Sequence, residues 1–197
     1  IAEIEIHPTN PEIVFVAVLG HLWSKNENRG LFRTTNGGKT WEKVLYVDEM
    51  TGANEIVISP TNPQIVYASL WEMYPGISGG NSAIYRSVDG GTTWSRCVQG
   101  LPSGPKIGRI GLTVSATNPD KAYALIDNLN YPAGQSAELY KTIDGGVSWT
   151  KTHSGAFNLF TTIGWYFTDV YLNPQNDEEV FCLGIRLAHS EDGGKTF

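Results

Sequence analysis

Ser87-Val-Asp89-Gly-Gly-Thr-Thr-Trp94 decides the fold, because the chain repeats its pattern four times. The other copies are Thr34-Thr-Asn36-Gly-Gly-Lys-Thr-Trp41, Thr142-Ile-Asp144-Gly-Gly-Val-Ser-Trp149 and Ser190-Glu-Asp192-Gly-Gly-Lys-Thr-Phe197. The acidic or amide positions fall 53, 55 and 48 residues apart (36 to 89, 89 to 144, 144 to 192). Self-similarity at that period marks a repeat architecture. Asp or Asn bonds the backbone two residues on, and the glycines supply positive φ at little steric cost. The phrase therefore reads as a tight turn between two strands. Its closing aromatic opens the second strand with a ring that favours burial. Asn36, Asp89, Asp144 and Asp192 are accordingly expected to build turns, with Trp41, Trp94 and Trp149 substantially buried and Phe197 at the matching place. Alternating acidic ligands ending in a Glu, as in an EF-hand, are absent, so the phrase is not a calcium loop.

A second phrase precedes each turn. It runs His7-Pro-Thr-Asn-Pro11, Ser59-Pro-Thr-Asn-Pro63, Ser115-Ala-Thr-Asn-Pro119 and, more divergent, Asn173-Pro-Gln-Asn176. Asn-Pro starts a turn, and the β-branched and aromatic run after it reads as a buried strand. Each repeat resolves into four strands, a to d, with the turn phrase between c and d. No helical periodicity appears. Four-stranded antiparallel units at this spacing predict an all-β chain, a β-propeller. The expected blades cover 1–47, 54–99, 108–153 and an incomplete 168–197, all within one domain. Because strand d of the last unit is missing, the chain reads as a segment whose remaining blades come from a longer chain or another subunit. A closed four-bladed ring is the alternative.

Composition narrows the function. The 197 residues carry a net charge of −6 with no run of Lys or Arg, which argues against a nucleic-acid partner. No apolar stretch approaches the roughly 18–20 residues of a membrane span. Ile1-Ala-Glu-Ile4 shows no signal-peptide pattern. Cys97 and Cys182 fall in non-adjacent repeats and read as small buried hydrophobes. His7, His21, His153 and His189 are scattered, so no metal or cofactor is expected.

The turn phrase resembles the Asp-box, or BNR repeat, of sialidases, xyloglucanases and the sortilin propeller. Longer stretches are similar to bacterial sortilin-N-terminal-domain proteins, often labelled glycosyl-hydrolase-like. These stretches are Gly20-His-Leu-Trp23, Gly30 to Asp48, Ala68-Ser-Leu-Trp-Glu72 and Gly164-Trp-Tyr166. The resemblance runs nearly end to end and implies a propeller and a secreted, periplasmic or cell-surface location. It covers enzymes, receptors and assembly factors alike, so it leaves function open.

In such blades the a–b and c–d turns share one rim, and the long b–c and d–a loops share the other. Loops on a rigid scaffold are where binding residues concentrate. The loop rim holds His21, Trp23, Trp71, Tyr74, Arg109, Tyr131, Trp165 and Tyr166, the aromatic and hydrogen-bonding set that a glycan or peptide groove uses. The reading is a recognition module for such a ligand. The alternative is a glycoside hydrolase, which needs two carboxyls about 5–5.5 Å apart if retaining or about 6.5–9.5 Å if inverting. Asp48, Glu49, Glu72, Asp127 and Asp169 are the candidates. A sialidase's three-arginine clamp is not available, since these loops hold only Arg29 and Arg109.

Overall fold

The computed structural model describes residues 1–155 and 157–197, and it contains strands but no helix among them. The first antiparallel sheet joins β1 (Glu3–Ile6), β2 (Val14–Val18), β3 (Gly30–Thr34) and β4 (Glu42–Leu45) in that order. The second joins β5 (Thr51–Ile58), β6 (Val66–Glu72), β7 (Ala83–Ser87) and β8 (Ser95–Arg96). The third joins β9 (Ile107–Val114), β10 (Ala122–Asn128), β11 (Ala137–Thr142) and β12 (Thr150–Lys151). The fourth has three strands, β13 (Asp169–Asn173), β14 (Asn176–Leu183) and β15 (Leu187–Ser190). This is a partial propeller whose first strands, β1, β5, β9 and β13, neighbour one another in sequence order. Apolar clusters fill the three joints between successive sheets, centred on Phe15 and Ile56, on Tyr67 and Ile110, and on Tyr123 and Val170.

The turn phrases close as their chemistry requires. In the second sheet Ser87 Oγ donates to Asp89 Oδ1 at 2.7 Å and accepts the Gly91 N–H at 2.8 Å. Asp89 also accepts the Thr93 N–H at 2.8 Å and the Thr93 hydroxyl at 2.6 Å. These bonds favour the ionised carboxylate and hold Asp89 well below the usual range. The same set recurs around Asp144 and Asp192, and at Asn36 the Oδ1 accepts from Thr34 and the Thr40 N–H while the amide donates to the Thr40 hydroxyl at 2.8 Å. Each turn then docks on the Asn-Pro turn of its own sheet. Gly37, Gly90, Gly145 and Gly193 donate to the carbonyls of Glu12, Gln64, Asp120 and Glu178 at 2.8–3.0 Å. Both turn types therefore lie on one rim and the long loops on the other.

The joints explain the glycine pair. Gly91 and Gly146 have φ of 81° and 86°, and a Cβ on either would stand 2.6 Å from the ring of Phe15 or Tyr67 in the preceding sheet. Arg33 reaches across the same joint and donates to the Gly90 carbonyl at 2.9 Å.

Two expectations need correction. Trp149 is 3% exposed and packs edge-on against Tyr67, with centroids 6.1 Å apart, but Trp94 is only half-buried and Trp41 is 45% exposed. A Trp at this position is covered by the preceding sheet's second strand, and the first sheet has no neighbour on that side. Residues 51–53, left between the first two expected blades, belong to β5, with a register shift between Ala53 and Glu55. Gly52 is there because a Cβ would come within 2.6 Å of the Leu19 backbone, and buried Asn54 donates to the Ile110 carbonyl at 3.2 Å. Cys97 and Cys182 are both buried and free.

Candidate functional site

The loop rim brings several of the expected aromatics together. Trp23 and Leu22 from the β2–β3 loop, Trp71 at the end of β6, Ile77 from the β6–β7 loop, and Trp165 and Tyr166 from the β12–β13 loop line one apolar groove of about 210 Å³, with Arg109 of β9 at its edge. Trp71 is a wall fixed from behind, since its indole N–H donates to the Ile77 carbonyl at 2.9 Å. Trp23, 82% exposed, stands free above it. Trp165 and Tyr166 meet edge-to-face at 5.6 Å. A buried Trp71 wall with the more exposed rings of Trp23, Trp165 and Tyr166, and Arg109 at the edge, suits a ligand that is apolar on its faces and polar on its edges.

The loops are held rigidly. Buried Arg29 donates to the carbonyls of Glu49 at 2.8 Å and Ser24 at 2.9 Å, and also to those of Leu19 and His21. It is a loop strut rather than a ligand contact. His21 lies outside the groove lining, with its Nδ1 3.2 Å from Ser24 Oγ. Tyr74 is half-buried and also outside it. Tyr131 lines a separate pocket with Asp127.

The carboxylates divide by position. Asp48 and Glu72 are joined by Asn81, whose side-chain amide donates to Asp48 at 2.9 Å and whose backbone N–H donates to Glu72 at 2.8 Å. Both are engaged in closing a loop. The backbone carbonyl of exposed Glu49 serves Arg29. Asp127 is 1% exposed and sits behind Gly164, where burial raises its carboxyl above the ordinary value. Asp169 is the one that meets the groove, through an Arg109 guanidinium 3.6 Å away that also donates to the Tyr166 carbonyl at 2.7 Å.

Beneath that pair lie two carboxyls that the loop-based reading missed. Glu3, Glu55 and Asp169 occupy the same place on the first strands of three sheets, four residues before His7, Ser59 and Asn173. The third sheet has Gly111 there, and a Cβ on it would collide with the Thr168 carbonyl at 2.3 Å. Burial lifts Glu3 to about 6 and Glu55 well above the usual range, and neighbouring carboxylates add to both. Glu55 Oε2 is buried without a partner. Aligning the repeats on Asn-Pro would have exposed this row, which a search confined to loops passes over. Among the described residues no group of three or more His, Cys, Asp and Glu is arranged to hold a metal ion, and no helix is long and apolar enough to cross a membrane.

Comparison with known proteins gives a consistent picture. The Sortilin-Vps10 model (Sortilin, neurotensin receptor 3) matches residues 29–197. A xyloglucanase of Paenibacillus sp is 24% identical over 164 residues, which is 73% of this chain and 15% of that protein. A xyloglucanase of Hypocrea jecorina is 29% identical over 170 residues, 81% of this chain and 19% of that protein. The chain thus spans under a fifth of the curated relatives it matches. Among solved structures, the Niastella koreensis GH74 enzyme superposes with a TM-score of 0.70 at 16% identity, covering 96% of this chain and 29% of that one.

Proposed function

The chain belongs to the Sortilin-Vps10 family, and on that footing we propose that it is the polysaccharide-binding part of an extracytoplasmic glycoside hydrolase of propeller type. The observation that carries the reading is the groove itself, where Trp23, Trp165 and Tyr166 from two loops and Trp71 from the end of β6 face one cleft. Sugar rings offer C–H faces and hydroxyl edges, which match those rings and the Arg109 guanidinium at the groove's edge. The relatives named above are xyloglucanases, so they favour a polysaccharide-acting enzyme over a recognition module for peptide.

Further blades are part of the proposal. Leu187 is 65% exposed, whereas its counterparts Leu31, Ile84 and Leu139 are buried by the following sheet. Asp169 is the carboxylate through which this segment contributes to catalysis, with Arg109 as its positioning residue.

The test uses the full-length protein. Retardation in native gels containing neutral plant polysaccharides should weaken at least about tenfold in Trp23→Ala and Trp165→Ala, as truncation of an interface anchor commonly costs more than about 1.4 kcal/mol. Release of reducing ends should fall by about 10²–10⁴ in Asp169→Asn, the range expected when an acid–base group is lost. Binding without release of reducing ends in the wild type would return the chain to the recognition reading.

A further inference from the structure

Beside the β12–β13 loop lies a second pocket, largely apolar in its lining but holding one carboxyl. It measures about 150 Å³ and is lined by Asp127, Leu129, Tyr131, Ser136, Thr162 and Gly164, among others. That is about five times the ~30 Å³ that a water occupies in the liquid. The pocket forms where the β10–β11 loop meets the β12–β13 loop, and the Gly134 N–H donates to the Thr161 carbonyl at 2.6 Å to fix that junction. Asp127 closes the inner end. Its Oδ1 is buried and has no partner, an arrangement that costs about 1–3 kcal/mol unless a ligand or water satisfies it. A Cβ at Gly164 would stand 2.5 Å from the carboxyl, so only glycine leaves Asp127 its place.

We propose that this pocket is a subsite for one sugar ring, whose hydroxyls bond Asp127 Oδ1 and the hydroxyls of Ser136 and Thr162 while Tyr131 covers one face. The inference rests on the polysaccharide reading of the adjoining groove, since Gly164 leads directly into Trp165 and Tyr166. A cation is a poor occupant, because Asp127 is the only acidic residue in the lining. An anion would meet no cationic lining residue. The Asp127 carboxyl accepts, and the Ser136 and Thr162 hydroxyls both donate and accept, which matches the hydroxyls of a sugar. Leu129 and Ala133 supply the apolar contact that the carbon skeleton requires.

The experiment is saturation-transfer NMR of the full-length protein with free D-glucose, D-xylose and D-galactose, run beside the polysaccharide gels. At least one monosaccharide should receive saturation from the wild type. Asp127→Asn, which keeps an acceptor, should hold the affinity within about threefold. Asp127→Leu should lose about tenfold or more, as expected when a site built on hydrogen bonds loses its partner. Ala133→Trp blocks the pocket from its exposed lip and should lose as much without touching the interior. Signal surviving in both Asp127→Leu and Ala133→Trp would overturn the subsite, as would no monosaccharide signal while polysaccharide is still retarded. Monosaccharide binding that Ala133→Trp abolishes, with no polysaccharide retardation, would uphold the subsite and sink the groove. Neither form of binding would overturn both.

Discussion

Glu3 Oε2 accepts the backbone N–H of Ile56 at 2.9 Å, across the joint between the first and second sheets. That bond fixes a carboxyl over the first strand of its neighbour, next to Glu55, and burial outweighs the bond in setting its titration.

The pH dependence follows from that placement. Glu3 titrates near 6 in the folded chain against 4.5 for the free group, so folding favours the protonated form. Its contribution to stability is complete below about 4.5 and is lost as the pH rises through 6. Because Glu3 is partly solvated, the effect is set at roughly 1 kcal/mol, or about 2–4 °C in melting temperature for a chain of this size. Melting between pH 4.5 and 7 should show that fall, and Glu3→Gln should remove it. An unchanged slope in Glu3→Gln would refute the assignment.

His153 has the opposite sign. Its Nε2 accepts the Leu139 N–H at 3.2 Å, its Nδ1 meets the Gly155 carbonyl, and burial, with Lys151 adding, lowers its pKa below 6.5. Neutral His153 stabilises the fold above pH 6.5, and the contribution is lost as the pH falls through the lowered value. The urea midpoint should drop between pH 7.5 and 5.5 in the wild type. In His153→Gln the drop should be smaller, and a drop of equal size would contradict this role.

Two tryptophans at one repeat position should behave differently. Trp149→Ala empties a filled joint and should cost about 3–5 kcal/mol, whereas Trp41→Ala should cost under about 1 kcal/mol. Denaturant melts of the pair decide the matter, and comparable losses would contradict the difference in burial.

Gly91 tests the joints directly. Gly91→Ala sets a Cβ against the Phe15 ring at 2.6 Å on a backbone with φ of 81°, so a loss of at least about 2 kcal/mol is expected. Phe15→Leu combined with it should relieve the steric part, a coupling that a double-mutant cycle measures. Strictly additive losses would show that Phe15 is not the obstacle.

Much of this was legible in the residues. The bonds that make each turn join positions at most four apart, such as Ser87 to Gly91 and Asp89 to Thr93, so they are written within one phrase. The strand order alone sends the loops of Trp23, Trp165 and Tyr166 to one rim, whereas Trp71, expected in a loop, ends β6.

The sequence by itself determined the repeat, the antiparallel sheets and the rim on which each loop emerges, since those depend on short-range hydrogen bonds and on alternation along a strand. Only the tertiary structure decided that Asp48 and Glu72 close a loop, that Asp169 meets the groove through Arg109, and that Glu3 and Glu55 lie beneath that pair. The first joins loops far apart in sequence, and the other two join residues from different sheets and depend on how closely the sheets pack. That closeness is set by glycines such as Gly52 and Gly111, which carry no side chain to announce what they touch.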